Sequence, residues 1–273
     1  MINDEQGKDL TGESTLQSTI EKTEALVLRI IPYSNTSHIV VWLTPKSGRI
    51  ATIIKGACRS RSPFIGQYDL FQTCELIYYH RERPGPYIVR ECSSIKPRHS
   101  FRSDWAAAAC ASYVCDIANR LCLDGLPHPR LYELLDSSLD YLCSGKAEKQ
   151  FLSWFDMALS EIMGLSPQLS KCVVCDRSAD DNTLPVFSCA KGGLICRECV
   201  SARSIRTEKI GRDVLAILRS WQRKTSPESA RNTRCTPDQT MACFSLIGDF
   251  LKYHIDTVPE SRDIAGRIFD YNR

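Results

Sequence analysis

Few of the signatures that mark enzyme chemistry are found in this chain of 273 residues. There is no G-x-x-x-x-G-K-[ST] run, which excludes a P-loop nucleotide site. There is no G-x-S-x-G elbow for an activated serine and no H-E-x-x-H pair for a catalytic zinc. Histidine is scarce, with five residues scattered at positions 38, 80, 99, 128 and 254. His80-Arg81-Glu82 fits the H-x-E half of a zinc deaminase, but it opens the turn Arg83-Pro84-Gly85. Neither cysteine pair of the chain follows a proline, as that chemistry requires. Acidic pairs such as Asp180-Asp181 fall in turn-like, solvated segments. No run of about 18 apolar residues exists, so no membrane-spanning helix is expected. The opening Met1-Ile2-Asn3-Asp4-Glu5-Gln6 is acidic and polar, with no basic stretch leading into an apolar one. That predicts no secretory leader and a reducing, cytoplasmic setting in which free thiols persist.

Cysteine, by contrast, is abundant, with 14 residues. Cys172-Val-Val-Cys175 and Cys196-Arg-Glu-Cys199 form two CxxC pairs separated by 20 residues. The spacing fits the zinc-ribbon template. Each CxxC turn aims two sulfurs at one point, and four thiolates satisfy the tetrahedral preference of Zn²⁺ with no coordination position left open. The expected metal is therefore one structural Zn²⁺ on Cys172, Cys175, Cys196 and Cys199. The segment between the pairs is polar and turn-rich, so the metal would supply most of its folding energy. Cys189 lies within that segment and offers an alternative ligand. A redox CxxC would need only one pair beside a βαβ pattern. Cys110, Cys115 and Cys122 sit at apolar helical positions and read as small hydrophobes.

Net charge is only +3, but it is unevenly spread. Residues 1–21 carry five acids and one base; residues 22–102 carry 13 Lys/Arg against five Asp/Glu, a net +8. A basic segment of this kind is the electrostatic footprint of a polyanion-binding domain. A solvated basic surface without a partner is the other reading.

Composition and periodicity divide the chain into three. Residues 1–21 have no aromatics and no periodicity and are expected to be a disordered tail. Residues 22–98 read as β structure: apolar, β-branched runs at Ala25–Ile31, Ile39–Leu43, Ile50–Ile54, Leu70–Tyr79 and Tyr87–Cys92 alternate with turn signals. Five short strands without a helical period suggest a small antiparallel barrel of OB type. Residues 99–273 turn helical, with expected helices at Trp105–Leu123, His128–Cys143, Lys149–Met163, Thr207–Lys224 and Asp238–Ile255, and the zinc module inserted at about 170–202. The predicted buried stripe of the first helix is Trp105, Ala109, Val114, Ile117, Ala118 and Leu121. The fold class is α+β, with an N-terminal five-stranded OB-type barrel and a C-terminal all-helical domain.

Several stretches together resemble the bacterial RecO family of recombination mediators, over about residues 22–265. Glu24-Ala25-Leu26-Val27-Leu28 looks like its first strand and Leu43-Thr44-Pro45-Lys46-Ser47-Gly48-Arg49-Ile50 like its strand–turn–strand. Lys55-Gly56-Ala57-Cys58-Arg59-Ser60-Arg61-Ser62 is similar to its basic KGA-R-x-x-S stretch, with Cys58 interposed. Leu70-Phe71-Gln72-Thr73-Cys74-Glu75-Leu76 resembles the strand that follows, and Phe187 to Cys196 the run into the second cysteine pair. The turn Tyr33-Ser34-Asn35-Thr36-Ser37-His38 departs from the acidic residues usual there. The resemblance implies an OB-fold, a helical domain and a four-cysteine zinc module. It further implies activity without chemistry: binding single- and double-stranded DNA, annealing complementary strands, and helping RecA load onto strands coated by single-stranded-DNA-binding protein, with RecR as partner and nucleoid association as the setting.

The residues expected to contact DNA are Lys46, Arg49, Lys55, Arg59 and Arg61, which fall on or beside adjacent strands and could neutralise phosphates. Tyr33, Trp42, Tyr78, Tyr79 and Tyr87 are candidates for stacking on bases, or for the barrel core. A zinc-ribbon RNA-binding or transcription-associated adaptor is the alternative of a different class; it would prefer RNA over DNA of the same sequence. A hydrolase is a third reading, without a constellation to support it.

Overall fold

The computed structural model describes residues 19–271 apart from 82–83, 179–185, 204, 224–225 and 256–257. Five strands open the fold: β1 (Thr19–Ser34), β2 (Ser37–Thr44), β3 (Gly48–Ile54), β4 (Thr73–His80) and β5 (Tyr87–Lys96). Strand β1 is long because it serves two partners, β4 along its first half and β2 along its second. With β2 on β3, β3 parallel to β5, and β5 on β4, the ring of pairings closes. Residues 1–18 of the expected tail lie outside the described residues. Residues 19–21 are not tail, because Thr19 to Glu21 pair with His80 to Tyr78, and Glu21 accepts a hydrogen bond from the Tyr78 hydroxyl.

Alternation sets the two faces of the sheet. Ala25 and Val27 point into the ring with Val40, Trp42, Ile50, Leu76, Tyr78 and Val89. Leu26 and Leu28 point the other way, into the helical core with Leu43, Phe71 and Phe101. A strand buried on both faces reads as a continuous apolar run, which is how residues 25–28 read. Inside the ring the Trp42 indole N–H donates to Thr52 Oγ1 at 2.8 Å, so the buried polar pair is satisfied.

The rest is helical: α1 (Trp105–Leu121), α2 (Pro129–Cys143), α3 (Lys149–Ile162), then β6 (Val186–Ser188), β7 (Gly193–Ile195), α4 (Arg197–Arg203) and β8 (Glu208–Lys209), then α5 (Arg212–Gln222), α6 (Glu228–Asn232), α7 (Pro237–His254) and α8 (Ser261–Tyr271). Asp104 caps α1 by accepting from the Ala107 N–H at 2.9 Å, and Thr236 with Gln239 forms a capping box on α7. Three departures from the sequence reading stand out. Trp105 is 57% exposed: the buried face of α1 runs through Ala107, Cys110, Ala111 and Val114, and Trp105 sits about 200° round the helix from Ala107. The helix expected from Thr207 starts only at Arg212, because Glu208 and Lys209 pair with β6; its expected end, Lys224, lies outside the described residues. Finally, α8 follows the last helix expected.

Two polar networks, each centred on a buried arginine, hold the body together. Asp156 on α3, with no exposed surface, accepts from Arg262 of α8 at 2.7 and 2.8 Å and from the Tyr113 hydroxyl of α1. The second joins sheet to helices. Arg98, buried and in the left-handed region at φ 42°, donates to Asp140 at 2.7 Å, to Asp136 at 2.6 Å and to the Phe71 carbonyl at 2.7 Å. Lys96 reaches the same two aspartates. Gly48, at φ +62°, makes a further close joint: a Cβ there would lie 2.0 Å from the Leu126 carbonyl oxygen.

Candidate metal centre and nucleic-acid interface

The sulfurs of Cys172, Cys175, Cys196 and Cys199 lie within 4.8 Å of one another. The backbone converges them. Val173 N–H donates to the Leu194 carbonyl and Leu194 N–H to the Gln168 carbonyl, both at 2.9 Å, which lays the first CxxC turn against β7. Gly193 permits this approach, since a Cβ there would lie 2.5 Å from the Gln168 carbonyl oxygen. The second CxxC leads into α4, and the Cys196 N–H points at the Cys172 sulfur at 3.3 Å. The donor set fits a tetrahedral dication. The Cys175 and Cys196 sulfurs are 3.7 Å apart; four sulfurs at ~2.3 Å from one zinc would be ~3.8 Å apart. Protonation tells the same story. Burial opposes the Cys172 thiolate, but the N–H groups of Cys196, Val174 and Cys175 outweigh it and bring that thiol down to about 6. Cys199, hydrogen-bonded first to Cys196 and crowded by the other sulfurs, is pushed up to about 12. Four thiols this close cannot all ionise without a cation among them. Cys189 is not in the cluster: its carbonyl accepts from His254 Nε2 at 2.8 Å, and its thiol is raised to about 11 by burial and then by Glu208.

The expected DNA contacts separate into two places. Lys55, Arg59 and Arg61 are exposed and line one open cleft of about 610 Å³, with Ser60, Ser62 and Gly56 between them. Lys46 is exposed in the β2–β3 turn, at the other end of β3. Six residue steps along β3 put the two ends about 20 Å apart. Arg49 is committed elsewhere: its Nε donates to Asp124 at 2.7 Å and its guanidinium also reaches the Asn119 carbonyl. Among the described residues, Lys46, Lys55, Arg59 and Arg61 take part in no ion pair. Of the aromatics, Trp42 and Tyr78 are fully buried in the ring and cannot stack on a base. Tyr79 and Tyr87 are half-buried, with the Tyr87 ring against Tyr78 and His80. Tyr33 is exposed at the β1–β2 turn. Glu82 of the H-x-E triplet lies outside the described residues.

Residues missed by the sequence reading sit on both sides. Arg98, Asp136 and Asp140 carry no local motif, because their pairing is between distant segments. His38, Cys58 and Tyr68 adjoin the basic cleft: the Cys58 sulfur is 3.2 Å from His38 Nε2, and His38 Nδ1 is 2.7 Å from the Tyr68 hydroxyl.

A closed strand ring with cations at its rim is docked on a helical body that carries a four-thiol cluster. Residues 18–98 match the family described as Recombination protein O N terminal, and residues 102–263 match Recombination protein O C terminal. The chain belongs to the RecO family. A protein named DNA repair protein RecO from Syntrophus aciditrophicus is 28% identical over 204 residues, covering 71% of this chain and 79% of its own length. The protein of that name from Anaeromyxobacter sp. (strain Fw109-5) is 30% identical over 183 residues, 66% of this chain and 71% of its own. That of Anaeromyxobacter sp. (strain K) is 28% identical over 250 residues, 91% of this chain and 94% of its own. Among the described residues, no helix is long and apolar enough to cross a membrane.

Proposed function

We propose that this chain is a non-enzymatic mediator of recombinational DNA repair. In this reading it binds single- and double-stranded DNA, anneals complementary strands and helps load RecA onto strands coated by single-stranded-DNA-binding protein, with RecR as its partner. The observation that supports it best is the cleft of Lys55, Arg59 and Arg61, three cations that form no ion pair among the described residues, on the rim of a small strand ring in a chain of the RecO family. We read that ring as an OB-type barrel, with residues 22–98 as the nucleic-acid unit and 99–273 as the helical unit carrying the module. Phosphates would enter the cleft as counterions leave, a contribution independent of sequence. With charge neutralised, two strands approach at lower Coulomb cost, and no covalent bond changes. The testing experiment is annealing of complementary strands coated by single-stranded-DNA-binding protein, without ATP, using end-labelled DNA. Faster annealing with both strands intact is the expected result; shortened strands would reject the reading.

Cys172, Cys175, Cys196 and Cys199 would hold one structural Zn²⁺, which supplies rigidity and no reaction step. The module has strands of three, three and two residues and a seven-residue helix, too little to bury a core of its own. Metal ligation in such modules contributes about 10–16 kcal/mol. Elemental analysis should find about one zinc per chain. Cys196→Ser should lose it and Cys189→Ser should keep it.

A further inference from the structure

Of the 14 cysteines, Cys58 alone is exposed. Among the described residues it is also the one whose sulfur contacts an imidazole, His38 Nε2 at 3.2 Å. The far side of that ring is held by the Tyr68 hydroxyl, 2.7 Å from Nδ1, with the two rings edge to face. Tyr68 is itself steadied against Trp42, and burial, then the nearby Cys58, pushes its phenol up to about 12, so it stays protonated. The backbone is fixed as well: Cys58 N–H donates to the Thr36 carbonyl at 3.1 Å, and Gly56 N–H to Ser37 Oγ at 3.3 Å. Three segments distant in sequence thus bring together a thiol, a base and a group that orients the base, which is the arrangement of an activated sulfur nucleophile. Thiols of the helical body such as Cys115 and Cys122 are buried away from solvent.

We propose that Cys58 is a thiol-exchange site beside the basic cleft, forming mixed disulfides with anionic low-molecular-weight disulfides and thereby weakening nucleic-acid binding there. The thiol proton passes to His38 Nε2 while Nδ1–H is donated to the Tyr68 oxygen. The Cys58 sulfur attacks one sulfur of R–S–S–R; a Cys58–S–S–R bond forms as the reagent's S–S bond breaks. The departing RS⁻ takes the proton from the imidazolium. One thiol and one disulfide are consumed and one of each is produced, so Cys58 is oxidised as half of the reagent is reduced. Lys55, Arg59 and Arg61 attract an anionic reagent, and its retained half leaves negative charge among them. The effect on binding rests on the DNA reading of the cleft; the exchange chemistry does not.

The test uses the full, metal-loaded chain and dithiobis(nitrobenzoate), an anionic disulfide whose released thiolate is coloured. One fast-reacting thiol per chain is expected, absent in Cys58→Ser and protected by single-stranded DNA. His38→Asn should slow it at least about tenfold. Tyr68→Phe, which removes only the orienting oxygen, should slow it less and serves if the histidine variant misfolds. The modified protein should bind single strands about three- to tenfold more weakly at 0.1 M salt, reversibly with dithiothreitol, whereas Cys58→Ser treated identically should not change. A fast thiol surviving in Cys58→Ser, or reacting at full rate in both the His38 and Tyr68 variants, would overturn the site. Unchanged DNA affinity after modification would overturn its effect on binding. If a Lys55→Ala, Arg59→Ala, Arg61→Ala variant binds DNA as well as wild type, the cleft reading fails instead, and the exchange rates still decide Cys58.

Discussion

Arg98 and Arg59 are arginines of the same basic segment, yet they do opposite things. Arg98 is buried against the aspartates of α2 and has every part of its guanidinium engaged. Arg59 is exposed, beside Lys55 and Arg61, and among the described residues none of the three takes part in an ion pair. The positive excess of residues 22–102 is therefore not one surface. Lys22, Arg49, Arg90, Lys96, Arg98 and Arg102 sit in ion pairs, and for Arg49, Lys96 and Arg98 the partner comes from the helical body. Charge in a sequence says how many cations there are; only the partners say which are free for phosphate.

The largest way to sharpen this contrast is to remove Arg98. Arg98→Ala leaves the buried Phe71 carbonyl without its side-chain donor, while Asp136 keeps Lys96 and Thr73. Leaving that buried acceptor unsatisfied costs about 1–3 kcal/mol, measurable as a lower denaturation midpoint. The salt dependence of DNA binding by the folded fraction should not change. An equal stability loss in Arg59→Ala would erase the distinction. Arg49→Ala should cost only about 0–1 kcal/mol, because Asp124 is largely exposed.

The same joint sets a pH window. Burial works against the Asp136 carboxylate, but Lys96 and Arg98 outweigh it and hold its carboxyl below the usual range. That stabilisation is present above the unfolded carboxyl value of about 4 and is lost as pH falls below it. Burial likewise works against the Lys96 ammonium, but Asp136 and Asp140 hold it above its usual range. Its contribution is present below the unfolded value of about 10.4 and is lost as pH rises through the folded one. Stability should therefore be flat between about pH 4 and 10 as far as this joint is concerned, and fall on both sides. Asp136→Asn should flatten the acid limb; a limb unchanged in that variant would place the acid sensitivity elsewhere.

The features legible in the sequence are those with a short-range signature. Alternation and turn residues located five strands, and CxxC spacing located four sulfurs that the fold brings within 4.8 Å. Features made by distant pairing were not legible. Arg98 looks like any basic residue after Pro97, and only the approach of α2 makes it a joint. Trp42 and Tyr78 read as candidates for stacking but more readily as core or surface packing, and closure of the ring makes them core. Trp105 reads as an anchor until the phase of α1 turns it outward. His38 and Cys58 lie on either side of β3, and nothing local reveals that they touch.

Next in size is the free set. Lys55→Ala, Arg59→Ala and Arg61→Ala together should leave stability within about 0.5 kcal/mol, as exposed substitutions do. The log–log salt slope for single strands should fall by about 2, at roughly 0.7 for each phosphate left without its cation. The weakening should be the same for every sequence, because phosphates carry no sequence information. Annealing rate should fall in step with affinity. An unchanged slope would show that the cleft is only a solvated face.

The smallest effect is the most informative about the path of the strand. Lys46 is as exposed and as free of ion pairs as Arg59, but it lies about 20 Å away along β3. A single strand that follows the sheet from the cleft to the β2–β3 turn would place a phosphate at each end. Lys46→Ala should then lower the slope by about 0.7 on long strands. On an oligonucleotide too short to span β3, binding seated in the cleft would ignore the substitution. The length at which Lys46 begins to matter measures the track. Arg49, held by Asp124, should leave the slope unchanged at every length. Equal reductions in slope for Lys46→Ala and Arg49→Ala would mean that DNA breaks the Arg49–Asp124 pair, and that paired cations are not reserved for the fold.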